Sequence, residues 1–309
     1  MDYGLVLSQA LRLTIKYPAL WVLGFLAALS DTSVDLLRID LEALPDPGAG
    51  STSAEAAALL EALLLEIANL LPLTLPFSIV GLFGFGGLIV AVDQVVREGR
   101  VELGSALWRT LKRFHHLLLV FVLFGLGLTG LYLAFAALPT IVLYKGVGEG
   151  SASLATAFET LLASGLACIG LLCVVLPYVV LSAGIQTFGQ RAILLEGYGA
   201  FRGILRAVKM MFSHFGIVAV VALMVLTLTF IIGLLLGLVT EVPLTLLVAV
   251  LNLEGSTLSE PVRTVGRALF AAVFTAYYST VWTLTYQELV KLEARRAALF
   301  ERRWIPHSL

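Results

Sequence analysis

The chain has 309 residues, of which 59% are hydrophobic and only 13% are charged. Soluble globular domains carry about a quarter charged residues, so a water-soluble fold would have to bury far too much of this sequence. Together with a mean hydropathy of +0.98, this composition excludes an ordinary soluble domain and predicts a polytopic membrane protein.

The N-terminal region predicts a short amphipathic helix followed by a first membrane span. The helix, residues 2–16, should end at the Tyr17-Pro18 step, because a residue before proline avoids helical geometry. Residues 17–30 are apolar but too few to cross a bilayer, since a span needs about 20 residues. Continuation through residues 31–37 would complete the span. No cleavage site follows the apolar run, so we expect the N-terminus to be retained.

An acidic loop separates the first span from the second. Residues 31–50 end in LPDPGAG, and a capping box formed by Thr52 and Glu55 then predicts a surface helix over residues 54–71. The second span is predicted at residues 76–96. Four of its glycines would allow neighbouring helices to approach closely: Gly81, Gly84, Gly86 and Gly87.

Four further spans complete a bundle of six transmembrane helices arranged as three hairpins. They are predicted at residues 117–144, 161–187, 215–239 and 268–284. Pro177 should kink the fourth span. The last helix should begin near Pro261 and continue to Arg303. The predicted fold class is therefore all-α, an integral membrane helical bundle with amphipathic helices on its cytoplasmic side.

Basic amphipathic segments lead into the third and fifth spans. Apolar and basic residues occupy separate faces at a period of 3.6, as in a helix that lies among lipid headgroups and then turns into the bilayer. The apolar positions are Leu103, Leu107, Leu111 and Phe114 in one segment, and Phe201, Ile204, Leu205, Val208 and Phe212 in the other. The predicted contacts with anionic lipid headgroups are Arg109, Lys112, Arg113, Arg202, Arg206 and Lys209.

The distribution of charge predicts the orientation. The N-terminal segment, the two basic segments and the C-terminal tail carry 16 of the 20 lysines and arginines. The opposite side carries 13 of the 21 acidic residues. By the positive-inside rule both termini are cytoplasmic, and we expect a multi-pass protein of the bacterial cytoplasmic (inner) membrane.

The two basic segments also indicate an internal repeat within a single domain, residues 1–309. Placing Glu98-Gly99 over Glu196-Gly197 superimposes Leu107 on Leu205 and His116 on His214. The predicted pseudo-repeats cover roughly residues 1–96, 97–188 and 189–303. Repeats with two spans each would be parallel rather than inverted.

The segment around Glu196-Gly197, AILLEGYGAFRGILRAVKMMFSHFG, resembles the bacterial membrane domain attached to some glycerophosphoryl diester phosphodiesterases. In that family an apolar helix ends in a Glu-Gly step and a basic amphipathic helix follows. Arg202, Arg206 and Lys209 match the basic face, whereas Arg206-Ala207 replaces the usual Arg-Ser pair. The motif covers about 25 residues. The family's phosphodiesterase activity belongs to a separate soluble barrel, for which this chain has no matching segment.

The sequence offers no recognisable catalytic or metal-binding set. It lacks HExxH, CxxC, Walker and G-x-S-x-G motifs, so we predict no catalytic residues, no metal ligands and no cofactor. His116 and His214 are best explained as interface anchors. Cys168 and Cys173 are best explained as small buried thiols. The predicted spans are almost free of charge, which argues against ion-coupled pumping. No nucleic-acid partner is expected.

One face of the sixth span carries polar and aromatic residues. They are Thr275, Tyr278, Ser279, Trp282 and Tyr286, and we call this set the polar stripe. Two interpretations are open. The stripe could join helices through hydrogen bonds, or it could line a cleft for a lipid, quinone or pigment.

The first interpretation favours a non-catalytic scaffold or accessory subunit of a membrane assembly, with protein partners in the bilayer. The second favours a carrier for a lipid or small lipophile. A membrane enzyme is the least favoured class, because lipid-active enzymes need clustered acids or histidines at one interface.

Overall fold

In the computed structural model, the described part of the chain comprises residues 2–33, 53–132, 176–231 and 259–304, together with residues 169, 173 and 174. Throughout these residues the regular structure is helical. Residues 31–33 of the predicted acidic loop are helical, at the end of α2. The rest of that loop, the end of the third span, most of the first half of the fourth span and the end of the fifth lie outside the described residues. The helices are α1 (Tyr3–Lys16), α2 (Ala19–Ser33), α3 (Ser53–Glu98), α4 (Leu103–Tyr132), α5 (Leu176–Arg191), α6 (Ala200–Ser213), α7 (Phe215–Ile231) and α8 (Ser259–Trp304), with a π-helical turn at Ala192–Glu196 between α5 and α6.

The first helix forms as the sequence predicts. The side chain of Asp2 accepts a hydrogen bond of 3.1 Å from the backbone N–H of Leu5, which caps the start of α1. The helix ends at Lys16, directly before the Tyr17-Pro18 step. There the chain bends by 101° into α2. The amphipathic segment and the apolar segment are therefore separate helices, as predicted.

The prediction of a turn was wrong for the central basic segment. α4 runs from Leu103 to Tyr132 as one helix, so the basic segment continues directly into the predicted third span. The corresponding segment α6 ends at Ser213, and the chain bends by 94° before α7. His214 leaves helical geometry at this bend, with φ −126° and ψ 30°. The two joins differ in sequence, since a glycine follows closely at Gly216 whereas no proline or glycine interrupts residues 105–124.

The prediction of a separate surface helix at residues 54–71 was also wrong. It is continuous with the second span in α3, a helix of 46 residues that contains Pro72 and Pro76. A leucine precedes each proline and favours helix, and proline is tolerated within apolar helices. At 1.5 Å per residue α3 is about 69 Å long, about twice the thickness of a hydrocarbon core, so only part of it can lie in a bilayer.

Two helical segments are long and apolar enough to cross a membrane on their own, Leu75–Glu98 and Leu103–Gly127. The bent pairs α1–α2 and α6–α7 raise this number to four if each pair forms one span. Among the described residues, these four do not include the spans predicted at residues 161–187 and 268–284. The chain is thus a helical bundle with the apolar helices of a membrane protein.

Close packing of α2 against α3 and α8 forms part of the core. A Cβ atom placed on Gly84 of α3 would lie 2.6 Å from the backbone nitrogen of Ala27 in α2. This contact confirms the predicted close approach at that glycine, because no larger side chain fits there without movement. A second apolar cluster joins α1, α5, α6, α7 and α8 around Phe188, Met210 and Tyr286.

Candidate functional site

The polar stripe of α8 faces the interior of the protein. Thr275, Ser279, Trp282 and Tyr286 are buried, and Tyr278 is half-buried. Phe188 of α5 covers the stripe, with its ring centroid 5.6 Å from that of Trp282 in an edge-on arrangement and 6.0 Å from that of Tyr286. The five predicted residues therefore do share one face, and that face packs against a neighbouring helix.

Two hydrogen bonds join the stripe to the end of α5 and the turn that follows. The phenolic hydroxyl of Tyr286 donates to Oε1 of Glu196 in the π-helical turn. Nη2 of Arg191 donates to the backbone carbonyl of Ser279 over 3.1 Å. The same carbonyl accepts a second bond, of 2.7 Å, from the hydroxyl of Thr283. The stripe thus contacts α5 through its backbone as well as its side chains.

Glu196 also begins an ion-pair network that connects three elements. Nε of Arg206 in α6 lies 3.2 Å from Oε2 of Glu196, and Nη1 of Arg206 lies 2.7 Å from Oε2 of Glu293 in α8. The second carboxylate oxygen of Glu293 is 3.8 Å from Nε2 of His214, at the bend between α6 and α7. One guanidinium therefore bridges two carboxylates and ties the amphipathic helix to α8.

The protonation states of this network suit hydrogen bonding rather than proton transfer. Burial would lower the pKa of Arg206, but its hydrogen bond with Glu293 and the charge of Glu196 raise that pKa, so the guanidinium stays cationic. Burial raises the pKa of Tyr286, and the hydrogen bond to Glu196 raises it further. The phenol therefore remains a donor at neutral pH.

The six predicted lipid-contacting residues fall into two groups. Two of them bond within the protein: Arg206 pairs with carboxylates as described, and Nη1 of Arg113 donates to the backbone carbonyl of Ile193 over 2.8 Å. The remaining four are exposed, namely Arg109, Lys112, Arg202 and Lys209. For Arg206 the structure corrects the pattern-based assignment, since its side chain is only 19% exposed and points to protein groups.

α6 has three faces rather than the two that its sequence pattern predicts. Small residues and methionines form the buried face against α5: Gly203, Ala207, Met210 and Met211. Three residues of the predicted apolar stripe are instead strongly exposed: Phe201 at 68%, Leu205 at 68% and Phe212 at 64%. Arg202 and Lys209 flank them. This helix presents aromatic and basic side chains outward, the combination typical of a helix at a membrane surface.

The two Glu-Gly steps share an unusual backbone geometry. Gly99 and Gly197 are the glycines with positive φ among the described residues, at 70° and 85°. Each ends a helix and precedes an amphipathic helix. A Cβ at Gly197 would also lie 3.0 Å from Nη2 of Arg113, which would have to move slightly, whereas the positive φ by itself strains any larger residue. The geometry agrees with the alignment of the two segments, and the pseudo-repeat itself stays a prediction.

The two aligned histidines contact different neighbours. The ring of His116 lies 3.9 Å from that of His115, whereas His214 is buried and faces Glu293. Burial, the nearby Arg296 and Arg206 lower the pKa of His214 more than Glu293 raises it. Within the described part of the chain, His116 and His214 do not combine into a shared binding site.

Sequence patterns missed two buried charges. Asp93 is 2% exposed, accepts from Nε of Arg97 at 2.8 Å, and accepts from Nε2 of Gln287 in α8 at 2.8 Å. Arg191, at the end of α5, is fully buried, and its guanidinium lies 6.0 Å from the ring centroid of Phe85. The sequence feature that could have drawn attention to Arg191 is its position, since it is the sole basic residue between Lys145 and Arg202.

A cavity of about 210 Å³ lies elsewhere, between α1, the end of α3 and α8. Its lining includes none of the polar stripe. The lining residues are Asp2, Leu5, Val6, Gln9, Val96, Leu284, Gln287, Glu288 and Lys291.

No family model, curated protein or solved structure matches the chain. The resemblance to the membrane domain of glycerophosphoryl diester phosphodiesterases therefore stays a prediction from the motif around Glu196-Gly197.

Proposed function

We propose that this chain is a non-catalytic scaffold or accessory subunit of an assembly in the bacterial cytoplasmic membrane. One observation carries the proposal. The polar stripe, which could have lined a ligand cleft, is buried against α5 by Phe188 and Arg191. A bundle whose polar face is used for internal packing suits a rigid platform better than a carrier, which needs an accessible site.

The proposal includes six spans in three hairpins, with both termini in the cytoplasm. Its support is the charge distribution, because the loops assigned to the cytoplasm hold 16 of the 20 basic residues. On this topology the bent pairs α1–α2 and α6–α7 each place one amphipathic helix at the cytoplasmic surface and one apolar helix in the bilayer.

Anionic lipid headgroups are the proposed surface partners. Arg109, Lys112, Arg202 and Lys209 are exposed, and the neighbouring Phe201 and Leu205 offer apolar groups to the acyl boundary. Each basic side chain near an anionic surface contributes about 1 kcal/mol. Together they would hold the cytoplasmic side of the bundle firmly against the membrane.

Partner proteins within the bilayer would contact an exposed apolar helix face. α7 presents such a face, with Leu223 at 65%, Leu226 at 66% and Phe230 at 71% exposure. Their spacing of three and four residues places them in one row. Lipid alone can cover this row, so the experiment must distinguish lipid from protein.

Site-specific photo-crosslinking in intact membranes makes that distinction. A photoreactive residue placed in turn at Leu223, Leu226 and Phe230 should give a crosslink to the same partner protein. The buried Leu88, at 0% exposure, is the matched control position and should give none. Crosslinks to lipid alone at all three positions, together with a lipophile retained in stoichiometric amount, would contradict the scaffold and support the carrier.

A further inference from the structure

Three buried residues at the junction of α5 and α8 carry unpaired polar atoms. Nε of Arg191, Oγ of Ser279 and Nε1 of Trp282 have no hydrogen-bond partner among the described residues. The parent side chains are almost inaccessible, at 0%, 0% and 6% exposure. Buried polar groups are nearly always hydrogen-bonded, so three such atoms in one place require an explanation.

The contacts around these atoms show that they are neighbours. The bond of 3.1 Å from Nη2 of Arg191 to the carbonyl of Ser279 places the guanidinium directly against that residue. Trp282 follows Ser279 by three positions, so both lie on one face of α8. Phe188, one turn before Arg191 on α5, packs edge-on against the same tryptophan. Two adjacent helices thus bring the three residues to a single junction.

The chemistry of these atoms defines what is missing. The Nε–H of arginine and the indole N–H of tryptophan can only donate, and the hydroxyl of serine can donate as well. What these three atoms lack is therefore an acceptor. Within the described residues no carboxylate pairs with Arg191, although leaving a buried charge without a counter-charge is strongly unfavourable.

We propose that Arg191, Ser279 and Trp282 bind one small monovalent anion of the halide class. A single guanidinium matches one negative charge, whereas sulfate or a phosphate dianion would leave an uncompensated charge. The near-complete burial of all three side chains favours an ion over a lipid headgroup. The aromatic surroundings, Phe85 and Phe188, favour anions that lose their hydration easily, such as bromide. This site goes beyond the proposed scaffold function and does not depend on it.

Thermal unfolding of the full-length protein, purified entirely in gluconate buffer, tests the proposal. At constant ionic strength, replacing gluconate with bromide should raise Tm progressively. Above saturation each tenfold increase in bromide should shift the unfolding equilibrium about tenfold towards the folded state. Sulfate stabilises folded proteins through its exclusion from their surface, so it should raise the Tm of wild type and of the site variants described below equally. An equal Tm in bromide and gluconate would overturn the proposal.

Substitutions at the proposed site test whether the bromide-dependent rise in Tm arises there. Ser279→Ala combined with Trp282→Phe removes two donors, so bromide should no longer raise Tm. Ser279→Ala alone, the milder change, should weaken the dependence if the double variant does not fold. Trp108→Phe replaces an exposed tryptophan of α4 and should keep the full dependence. A bromide effect of wild-type size in both Ser279 variants would overturn the site.

Anomalous X-ray scattering from bromide tests the position of the site independently of the unfolding data. Crystals grown in bromide should show a peak between the side chains of Arg191 and Trp282. Crystals that show bromide only at surface positions would contradict the proposal, whatever the thermal data show.

Discussion

Arg206 and Glu293 form an ion pair, with Nη1 and Oε2 2.7 Å apart, that joins α6 to α8. Glu196 holds the other edge of the same guanidinium. The pair explains how an amphipathic helix with exposed phenylalanines is kept at a fixed position on the bundle. Both side chains are largely shielded from solvent, at 19% and 24% exposure, so screening by water and salt is limited.

Removing this guanidinium should destabilise the protein measurably. We expect Arg206→Gln to lower the free energy of unfolding by about 2 kcal/mol, because two charge-assisted hydrogen bonds are lost. Chemical denaturation in detergent measures the change. Arg202→Gln, on an exposed position of the same helix, is the control and should have little effect. Equal losses in the two variants would show that the pairing with Glu196 and Glu293 contributes nothing specific.

The close contact between α2 and α3 gives a second stability prediction. A methyl group on Gly84 would meet backbone atoms of Leu26 and Ala27, so Gly84→Ala should cost about 2 kcal/mol through overpacking. Gly125→Ala is the matched control within α4, since nothing lies within 4 Å of its Cβ position. Thermal unfolding of the two variants should separate them clearly. A Gly84→Ala variant as stable as wild type would mean that the helices can move apart freely.

The four exposed basic residues should determine the preference for anionic lipid. Replacing Arg109, Lys112, Arg202 and Lys209 together with glutamine removes about 1 kcal/mol of attraction per charge, roughly a fivefold loss for each. Mass spectrometry of the lipids retained in nanodiscs of mixed composition measures the preference. Arg206→Gln serves as the comparison, because its guanidinium is bonded within the protein. An unchanged ratio of anionic to zwitterionic lipid in the quadruple variant would remove the headgroup contact.

Topology reporters test the six-span arrangement. A reporter inserted near Gly50 should be extracytoplasmic, and one fused after Leu309 should be cytoplasmic, because the basic residues concentrate on the side of the termini. Alkaline phosphatase and fluorescent-protein fusions report the two sides with opposite signals. If both positions report the same compartment, the short first segment does not span and the hairpins must be counted again.

Local sequence patterns predicted the ends of helices well where proline or glycine restricts the backbone conformation. Pro18 ends α1, and the Glu-Gly steps at Gly99 and Gly197 supply left-handed caps. They failed where a helix continues through a segment in which the pattern predicted a break or a turn. Residues 72–76 contain two prolines and still lie within a helix, and the basic segment before Leu117 continues without a turn.

At the candidate site, the sequence pattern predicted which residues share a helix face but not which residues of other helices they contact. Periodicity placed Ser279, Trp282 and Tyr286 correctly on one face of α8. It could not reveal that Arg191 lies opposite them, because that contact joins residues separated by 88 positions. Arg202 and Arg206 look alike in sequence, yet only the second meets two carboxylates. Which member of a basic face pairs internally depends on the neighbouring helix, and no single-helix pattern contains that information.

The central claim is that the polar stripe serves internal packing, and the content of bound lipophile tests it most directly. Wild-type protein and the double variant Thr275→Val with Tyr278→Phe should be purified in parallel and their bound lipids and pigments quantified by mass spectrometry. The variant keeps Arg191, Ser279 and Trp282 of the proposed anion site. We expect a small loss of stability, about 1 kcal/mol for two polar groups, and the same bound lipophiles in both samples. A variant of wild-type stability that has lost a stoichiometric lipid or pigment would contradict the scaffold and establish the stripe as a carrier site.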